Sequence, residues 1–142
     1  MQDKRLESSL GYALVRAFRH VNRASNQALR AHGLSAEQAH ILLVLWFEGP
    51  MKVGELQRVL ALSSGTLTGA LDRMDEAGLV RRVADPHDRR TWRVEPAPFD
   101  ARRRRAIESV LEKTEEQSFS SLTGPERREL LRLLTKIADG MS

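Results

Sequence analysis

The sequence contains no cysteine among its 142 residues. A disulfide-stapled secreted module, a thiolate zinc site and a thiol-based redox switch are therefore excluded. The sequence also lacks the run of about 18 apolar residues that a membrane-spanning helix needs, and residues 1–10 lack the apolar segment of a signal peptide. We therefore expect a cytoplasmic chain with no membrane segment, long enough to bury a core without disulfides or a structural metal.

The usual signatures of an enzyme site are missing as well. The sequence has no glycine-rich phosphate loop, no nucleophile motif and no His and carboxylate pair at metal-ligand spacing. We therefore expect no catalytic activity, no cofactor and no metal ion.

Lysine is scarce, because only four of the 23 basic residues are lysines. Residues 81–105 contain nine arginines and four acidic residues, a local excess larger than the net charge of +4 of the whole chain. A basic stripe of this kind is typical of a phosphate-binding surface. A genome-wide preference for arginine over lysine would explain the number of arginines but not their clustering.

Apolar residues recur at steps of three and four over most of the chain, which predicts a mainly α-helical protein. The first helix is predicted over residues 6–28, and Gly33 suits the left-handed position that follows a helix. Ser35 and Gln38 form a predicted capping box for a second helix, which is expected to be buried nearly all round.

Two short helices with a tight turn between them are predicted next. The first covers residues 52–60, residues 61–62 make the turn, and Ser63 caps a helix that ends at Glu76. Gly78 is expected to end this helix. The pattern is typical of a helix-turn-helix unit.

From residue 79 the apolar period changes to two, which predicts a small β-hairpin. The predicted strands are residues 79–83 and 91–95, and the loop between them is rich in turn formers. A helix-turn-helix followed by a hairpin with arginines at its tip is a winged helix-turn-helix plan. We assign residues 35–96 to this lobe within a single chain of residues 1–142.

The remaining segments, residues 1–34 and 97–142, are predicted to be helical and to form a dimerisation region. Residues 101–119 form one helix, and Thr123 with Glu126 opens the last one. The first and last helices carry more apolar surface than a small lobe can cover, so we expect a homodimer, with intramolecular packing as the alternative. The expected dimer residues are Leu6, Leu10, Leu130, Leu134 and Ile137.

The second short helix of the unit has small, hydroxylated residues on its outer face, where a merely solvated helix would carry long charged ones. Such a face can enter the major groove of double-stranded DNA, while wing arginines reach the minor groove and others contact phosphates. The residues predicted to bind DNA are Ser63, Ser64, Gly65, Thr66, Thr68, Gly69, Arg73, Arg81, Arg82, Arg89 and Arg90.

Two segments resemble the MarR family of bacterial transcriptional regulators. Residues 60–82 read LALSSGTLTGALDRMDEAGLVRR and are similar to the family's recognition helix, and residues 85–90 read DPHDRR and are similar to its wing motif. The resemblance implies a homodimer that binds a pseudo-palindromic operator and often represses nearby genes until a ligand loosens it. It also implies that Asp72 pairs with the wing unit of Asp88 and Arg90, which adds Asp88 to the residues predicted to bind DNA. The alternative is that these are unrelated solvated charges.

The sequence departs from the family pattern at two places. Gly69 stands where many members have Arg or Lys, so base preference at this point is not inherited. Residues 95–100 replace the usual end of the third strand, and four arginines follow at 102–105. Asp100 is expected to cap that helix, and the arginine run either contacts phosphates or forms a solvated face.

A small aromatic or anionic effector is a further expectation, because arginine and histidine suit a carboxylate. Family regulators often hold small aromatic acids between the dimer region and the DNA-binding lobe, and the candidate residues here are Arg16, Arg19, His20, His40 and Trp46. The alternative is that they are ordinary surface or inter-helix groups. A zinc site at His20, Glu37 and His40 is a weaker alternative, since further ligands cannot be placed.

A different class of function competes with regulation. A winged-helix interaction protein that has lost specific DNA binding would also tolerate the small face at Gly65 and Gly69. The retained arginines at 73, 81, 82, 89 and 90 would then have no explanation, which favours DNA binding.

Overall fold

The computed structural model describes residues 4–141, which are mainly α-helical with one small antiparallel sheet. This confirms the predicted fold class. Helices and strands follow in the order α1 (Lys4–Glu7), α2 (Leu10–Leu29), a short 3-10 helix (Arg30–His32), α3 (Ala36–Glu48), β1 (Met51–Lys52), α4 (Val53–Leu60), α5 (Ser64–Glu76), β2 (Val80–Ala84), β3 (Trp92–Pro96), α6 (Ala101–Ser118) and α7 (Gly124–Met141).

The chain divides into two compact units. Of the described residues, the first contains 4–36 and 109–140, and the second contains 37–108 and Met141. The second unit therefore includes residues 97–108, which extend beyond the winged lobe predicted at 35–96. The assignment of the remaining residues to dimerisation stays a prediction.

The N-terminal helical segment of the first unit is interrupted, whereas the sequence predicts one helix over residues 6–28. The Ser9 backbone is extended, and its hydroxyl accepts a hydrogen bond from the Tyr12 amide at 3.1 Å, so Ser9 caps a new helix. The apolar period continues through this break, which explains why periodicity alone missed it. Gly33 adopts the predicted left-handed conformation with φ +70°.

The start of α7 in the first unit has the predicted capping box. The Thr123 amide donates to Glu126 Oε1 at 2.9 Å, and the Glu126 amide donates to Thr123 Oγ1 at 3.3 Å. These hydrogen bonds lower the pKa of Glu126. Arg127 then forms two hydrogen bonds to the Glu116 carboxylate, at 2.8 and 3.1 Å, which joins the end of α6 to the start of α7.

The sheet of the second unit has the strand order β1-β3-β2, with both pairs antiparallel. The two predicted hairpin strands are present, each displaced by one residue. The strand β1 was not predicted, because two residues are too few to show an alternating pattern. The buried core of this unit includes Ile41, Leu42, Leu45, Leu56, Leu67, Leu71, Met74, Val80, Val94 and Ile107.

The helix-turn-helix connection is built as the sequence predicts. Ala61 adopts a left-handed conformation with φ +53°, which reverses the chain after α4. The Ser63 hydroxyl then accepts a hydrogen bond from the Thr66 amide at 3.2 Å and contacts Thr66 Oγ1 at 2.8 Å. After α5, Gly78 has φ +73° and the Leu79 amide returns to the Met74 carbonyl at 2.8 Å. Both ends of α5 are therefore fixed by local hydrogen bonds.

We predict that Ser63→Ala lowers the free energy of unfolding by about 1 kcal/mol, because the Thr66 amide loses its acceptor. Urea unfolding followed by circular dichroism measures the change. Ser64→Ala is the matched control, since Ser64 is exposed one position later and lies inside the helix. Equal losses in the two variants would contradict the capping role.

Candidate nucleic-acid interface

One face of α5 is buried, and the exposed positions in the first half of the helix carry small side chains. Leu67, Ala70, Leu71 and Met74 are buried on the inner face. On the outer face Ser64, Gly65, Thr66 and Thr68 are exposed and Gly69 is half-buried. A Cβ atom at Gly65 would meet nothing within 4 Å. A large partner can therefore approach the backbone of α5 closely, and the hydroxyl groups can donate or accept hydrogen bonds there.

Gly69 differs from Gly65 in its surroundings. A Cβ atom at Gly69 would lie 3.4 Å from Nη1 of Arg73, one turn later on the same helix. The guanidinium of Arg73 therefore lies along the helix, beside the bare backbone of Gly69. Arg73 itself is exposed, as the prediction of a phosphate contact requires.

Arg82, which was predicted to contact DNA, pairs with two carboxylates of α5. Its Nη2 lies 2.6 Å from Asp72 Oδ1, and its Nη1 lies 3.7 Å from Asp75 Oδ2. The pairing of Asp72 with the wing residue Arg90, implied by the family resemblance, is therefore wrong in this structure. The reason is the short turn at Gly78, which brings β2 back beside the end of α5 and places Arg82 next to both carboxylates.

The wing loop, residues 85–91, is closed by hydrogen bonds within itself. The Asp85 amide donates to the Thr91 carbonyl at 3.1 Å, and the Thr91 amide donates to the Asp88 carbonyl at 3.2 Å. The Asp88 carboxylate accepts from the Arg90 amide at 3.0 Å, so it orders the loop instead of reaching α5. Arg89 and Arg90 are exposed at this tip.

A buried carboxylate at Asp85 anchors the base of the wing. Its side chain has no exposed surface, and it contacts groups from two strands and the loop. Asp85 Oδ1 accepts from the His87 amide at 2.8 Å, while Oδ2 lies 3.3 Å from Arg93 Nε and 3.7 Å from Lys52 Nζ. We refer to Asp85, Lys52 and Arg93 as the wing anchor.

The wing anchor stabilises the ionised form of Asp85. The hydrogen bond from the His87 amide lowers the pKa of Asp85, and burial opposes this effect. Arg93 and Lys52 lower the pKa further, so the net shift is downward. Asp85 was predicted as a turn former and as part of the wing motif, but not as an anchor, because Lys52 lies at the strand β1, which no sequence pattern reveals.

The arginine run at 102–105 is partly used inside the second unit. Asp100 Oδ1 accepts from the Arg102 amide at 2.8 Å, which confirms the predicted cap. The guanidinium of Arg103 lies 4.8 Å from the Phe99 ring centroid, and that of Arg104 lies 5.0 Å from the Trp46 ring. Arg104 Nε also donates to Glu108 at 2.9 Å. Phosphate contact stays a prediction for the exposed Arg102 and Arg105.

The candidate effector residues belong to both units. Arg16, Arg19 and His20 are exposed on α2, and His40 is exposed on α3. Partial desolvation lowers the pKa of His40, against the effect of the Glu37 charge. Trp46 is half-buried and packs edge to face on Phe99, with ring centroids 5.3 Å apart, so part of its ring is already occupied.

Neither a metal cluster nor a membrane span is found in residues 4–141. No three His, Asp or Glu side chains among them are grouped to hold a metal ion. In the same residues, no helix combines the length and the apolar character needed to cross a membrane.

Known proteins resemble this chain over most of its length. The model of the MarR family matches residues 34–92, which include the helix-turn-helix and most of the wing hairpin. The transcriptional regulator MgrA of Staphylococcus aureus is 32% identical over 133 residues, which cover 93% of this chain and 89% of MgrA. The chain belongs to the MarR family.

Two further relatives of this MarR-family chain are informative. The transcriptional regulator TtmR of Methylorubrum extorquens is 41% identical over 85 residues, or 60% of this chain and 44% of TtmR. A cysteine-to-serine mutant of MarR from Escherichia coli, solved in complex with operator DNA, is 26% identical with a TM-score of 0.81. That match covers 90% of this chain and 92% of the solved one. MgrA and TtmR are both named as transcriptional regulators.

We predict that Asp85→Asn lowers the stability of the chain at neutral pH, because Arg93 and Lys52 lose their buried counter-charge. Since the pKa of Asp85 is depressed on folding, this stabilisation is complete above the ordinary carboxyl pKa and is lost as the pH falls through the folded value. Urea midpoints measured between neutral pH and about pH 3 test both effects.

Asp88→Asn is the control for the wing anchor, because Asp88 is exposed and accepts one backbone hydrogen bond in the same loop. We expect the difference in midpoint between wild type and Asp85→Asn to shrink in acid, and Asp88→Asn to show a smaller effect at neutral pH. A difference for Asp85→Asn that does not change with pH would contradict an ionised anchor.

Proposed function

We propose that this MarR-family chain is a sequence-specific DNA-binding transcriptional regulator that acts as a homodimer. The observation that carries the proposal is that one compact unit holds both the small-residue face of α5 and an anchored basic wing. The names of MgrA and TtmR and the operator complex of the Escherichia coli protein support it.

In this proposal α5 enters the major groove, which is about 12 Å wide and admits an α-helix. The hydroxyl groups of Ser64, Thr66 and Thr68 reach base edges or phosphates, and the Thr methyl groups contact thymine methyls. Gly65 and Gly69 allow the helix backbone to approach the DNA. Ser63 keeps its hydroxyl at the helix start, where it caps α5 and borders the phosphate backbone.

The wing contacts the neighbouring minor groove through Arg89 or Arg90. A narrow A·T-rich minor groove has an enhanced negative potential that attracts a guanidinium. Arg73 and Arg81, both exposed, contact phosphates and set the register of the unit on the duplex. Arg82 is held by Asp72 and Asp75, so its role is to fix β2 against α5.

The homodimer is proposed from unpartnered apolar surface in the first unit. The exposed fractions of Leu10, Leu131 and Ile137 are 88%, 67% and 51%. Leu6 and Leu134 are exposed as well, and Leu130 is half-buried. A second copy that covers these side chains would remove them from water, and its two-fold axis would match a pseudo-palindromic operator.

Repression and release by an effector belong to the same proposal. The effector would be a small aromatic or anionic molecule. Arg16, Arg19 and His20 of the first unit offer cationic or hydrogen-bonding groups for it, and His40 of the second unit offers an imidazole. Trp46 would contribute the part of its ring that Phe99 and Arg104 leave uncovered.

The test is fluorescence anisotropy with labelled DNA from the region upstream of the gene, against a scrambled duplex, at two salt concentrations. Tighter and salt-dependent binding to the native fragment is the expected result. A screen of genomic fragments then covers operators located elsewhere. Equal weak binding to every fragment would favour the winged-helix interaction protein instead.

We predict that Thr68→Ala lowers the ratio of operator affinity to random-DNA affinity, because a direct base contact is lost. The corresponding loss of binding free energy on the operator is up to about 1 to 3 kcal/mol. Anisotropy titrations on both duplexes measure the ratio. Thr135→Ala is the control, since Thr135 is exposed on α7 of the first unit. Equal losses on the two duplexes would exclude base recognition by Thr68.

We also predict that Leu134→Arg yields a monomer in analytical ultracentrifugation, because a charge in the apolar interface would lose its hydration on association. Val59→Arg is the control, as Val59 is an exposed apolar residue of the second unit with a 58% exposed surface. It should leave the dimer mass unchanged. A dimeric Leu134→Arg protein would show that the interface lies elsewhere.

A further inference from the structure

An open cleft of about 580 Å³ lies between the start of α4 and the residues that lead from the wing loop into β3. We call it the wing-base cleft. All of its lining residues belong to the second unit. They are Lys52, Val53, Gly54, Glu55, Arg58, Arg90, Thr91 and Trp92.

Trp92 is the unusual member of this cleft. It stands at the start of β3, opposite Ala84 of β2, and 57% of its surface is exposed. A single exposed apolar residue needs no explanation by itself. Here, however, the indole lines the same cleft as three cationic side chains. A tryptophan combines a large apolar contact area with an N–H donor, a combination that is enriched at interfaces.

The charge of the cleft favours an anionic partner. Lys52, Arg58 and Arg90 contribute three cations, and Glu55 contributes one acid. Lys52 is shared with Asp85 of the wing anchor but keeps 41% of its side chain exposed. In residues 4–141, neither Arg58 nor Arg90 forms an ion pair, so both guanidinium groups are available to a partner.

We propose that the wing-base cleft receives the sugar–phosphate backbone of one DNA strand. The Trp92 ring packs on a deoxyribose, its N–H group donates to a phosphate oxygen, and Arg58 pairs with a neighbouring phosphate. This inference rests on the proposed function and adds Trp92 and Arg58 to the DNA-contacting residues. The cleft is continuous with the proposed DNA-binding surface of the wing, because Arg90 of the wing tip also lines the cleft.

The test uses the fluorescence of Trp92 itself. The chain has two tryptophans, so Trp46→Phe leaves Trp92 as the single indole. Quenching by acrylamide, a neutral quencher, is measured with and without saturating duplex, while anisotropy of a label on the DNA reports saturation independently. We expect the quenching constant to fall by about twofold or more, since the DNA strand would cover the exposed ring.

A second variant protects the test against loss of folding. Trp46 packs on Phe99, so Trp46→Phe is checked by circular dichroism. If Trp46→Phe unfolds, acrylamide quenching is measured for the wild type and for Trp92→Phe instead. The difference between their quenching curves then reports the Trp92 fluorescence. Unchanged quenching on saturated protein would overturn the cleft assignment and leave the proposed function intact. Absence of DNA binding altogether would overturn both.

Affinity measurements separate a contact from mere proximity. Arg58→Gln should reduce the slope of log affinity against log salt by about one unit, as expected for one lost phosphate contact. Trp92→Ala should weaken binding to operator and random DNA alike, by roughly fivefold, with Val59→Ala as the equally exposed control on α4. An unchanged salt slope for Arg58→Gln together with unchanged affinity for Trp92→Ala would overturn the proposal.

Discussion

A single buried carboxylate determines the geometry of the wing. Asp85 has no exposed side-chain surface, and burying an ionised carboxylate is costly unless it is paired and hydrogen-bonded. Arg93 on β3, Lys52 on β1 and the His87 amide in the loop meet that requirement together. The three groups must therefore hold their relative positions, and the loop that carries Arg89 and Arg90 leaves the sheet in a defined direction. The exposed tip depends on this interior contact.

The arginines of the chain fall into two groups with different physical roles. Arg82, Arg93, Arg104 and Arg127 each pair with a carboxylate, and Arg103 and Arg104 also lie over aromatic rings. Arg73, Arg81, Arg89 and Arg90 are exposed, with no carboxylate partner within residues 4–141. The number of arginines in a segment of the sequence indicates a basic surface, but this number includes paired and unpaired arginines alike. Only the fold shows which guanidinium groups are available to phosphate, because the pairing partners come from other helices and strands.

The sequence predicts features that depend on neighbouring residues and misses those that depend on distant ones. Ser63, Gly78, Asp100 and the pair of Thr123 and Glu126 act over one helical turn, and all were predicted from their spacing. β1 has two residues and exists only because β3 pairs with it, so no periodic pattern marks it. The partner of Asp72 depends on how β2 returns beside α5, and family resemblance therefore selected Arg90 where the structure has Arg82. The candidate DNA-binding face was accessible to sequence analysis, since small outer residues on an amphipathic helix are visible in the pattern itself.

The open space around Gly65 bears on how regulators of this kind diverge. A Cβ atom there meets nothing, while Leu67, Ala70, Leu71 and Met74 on the opposite face are fully packed. New side chains can therefore arise on the outer face without disturbing the packing on which the fold depends. Alanine also has a higher helix propensity than glycine, so a first step from glycine would strengthen α5 in the free protein. Duplicated copies of such a gene could acquire different target sites by single substitutions while their stability is preserved.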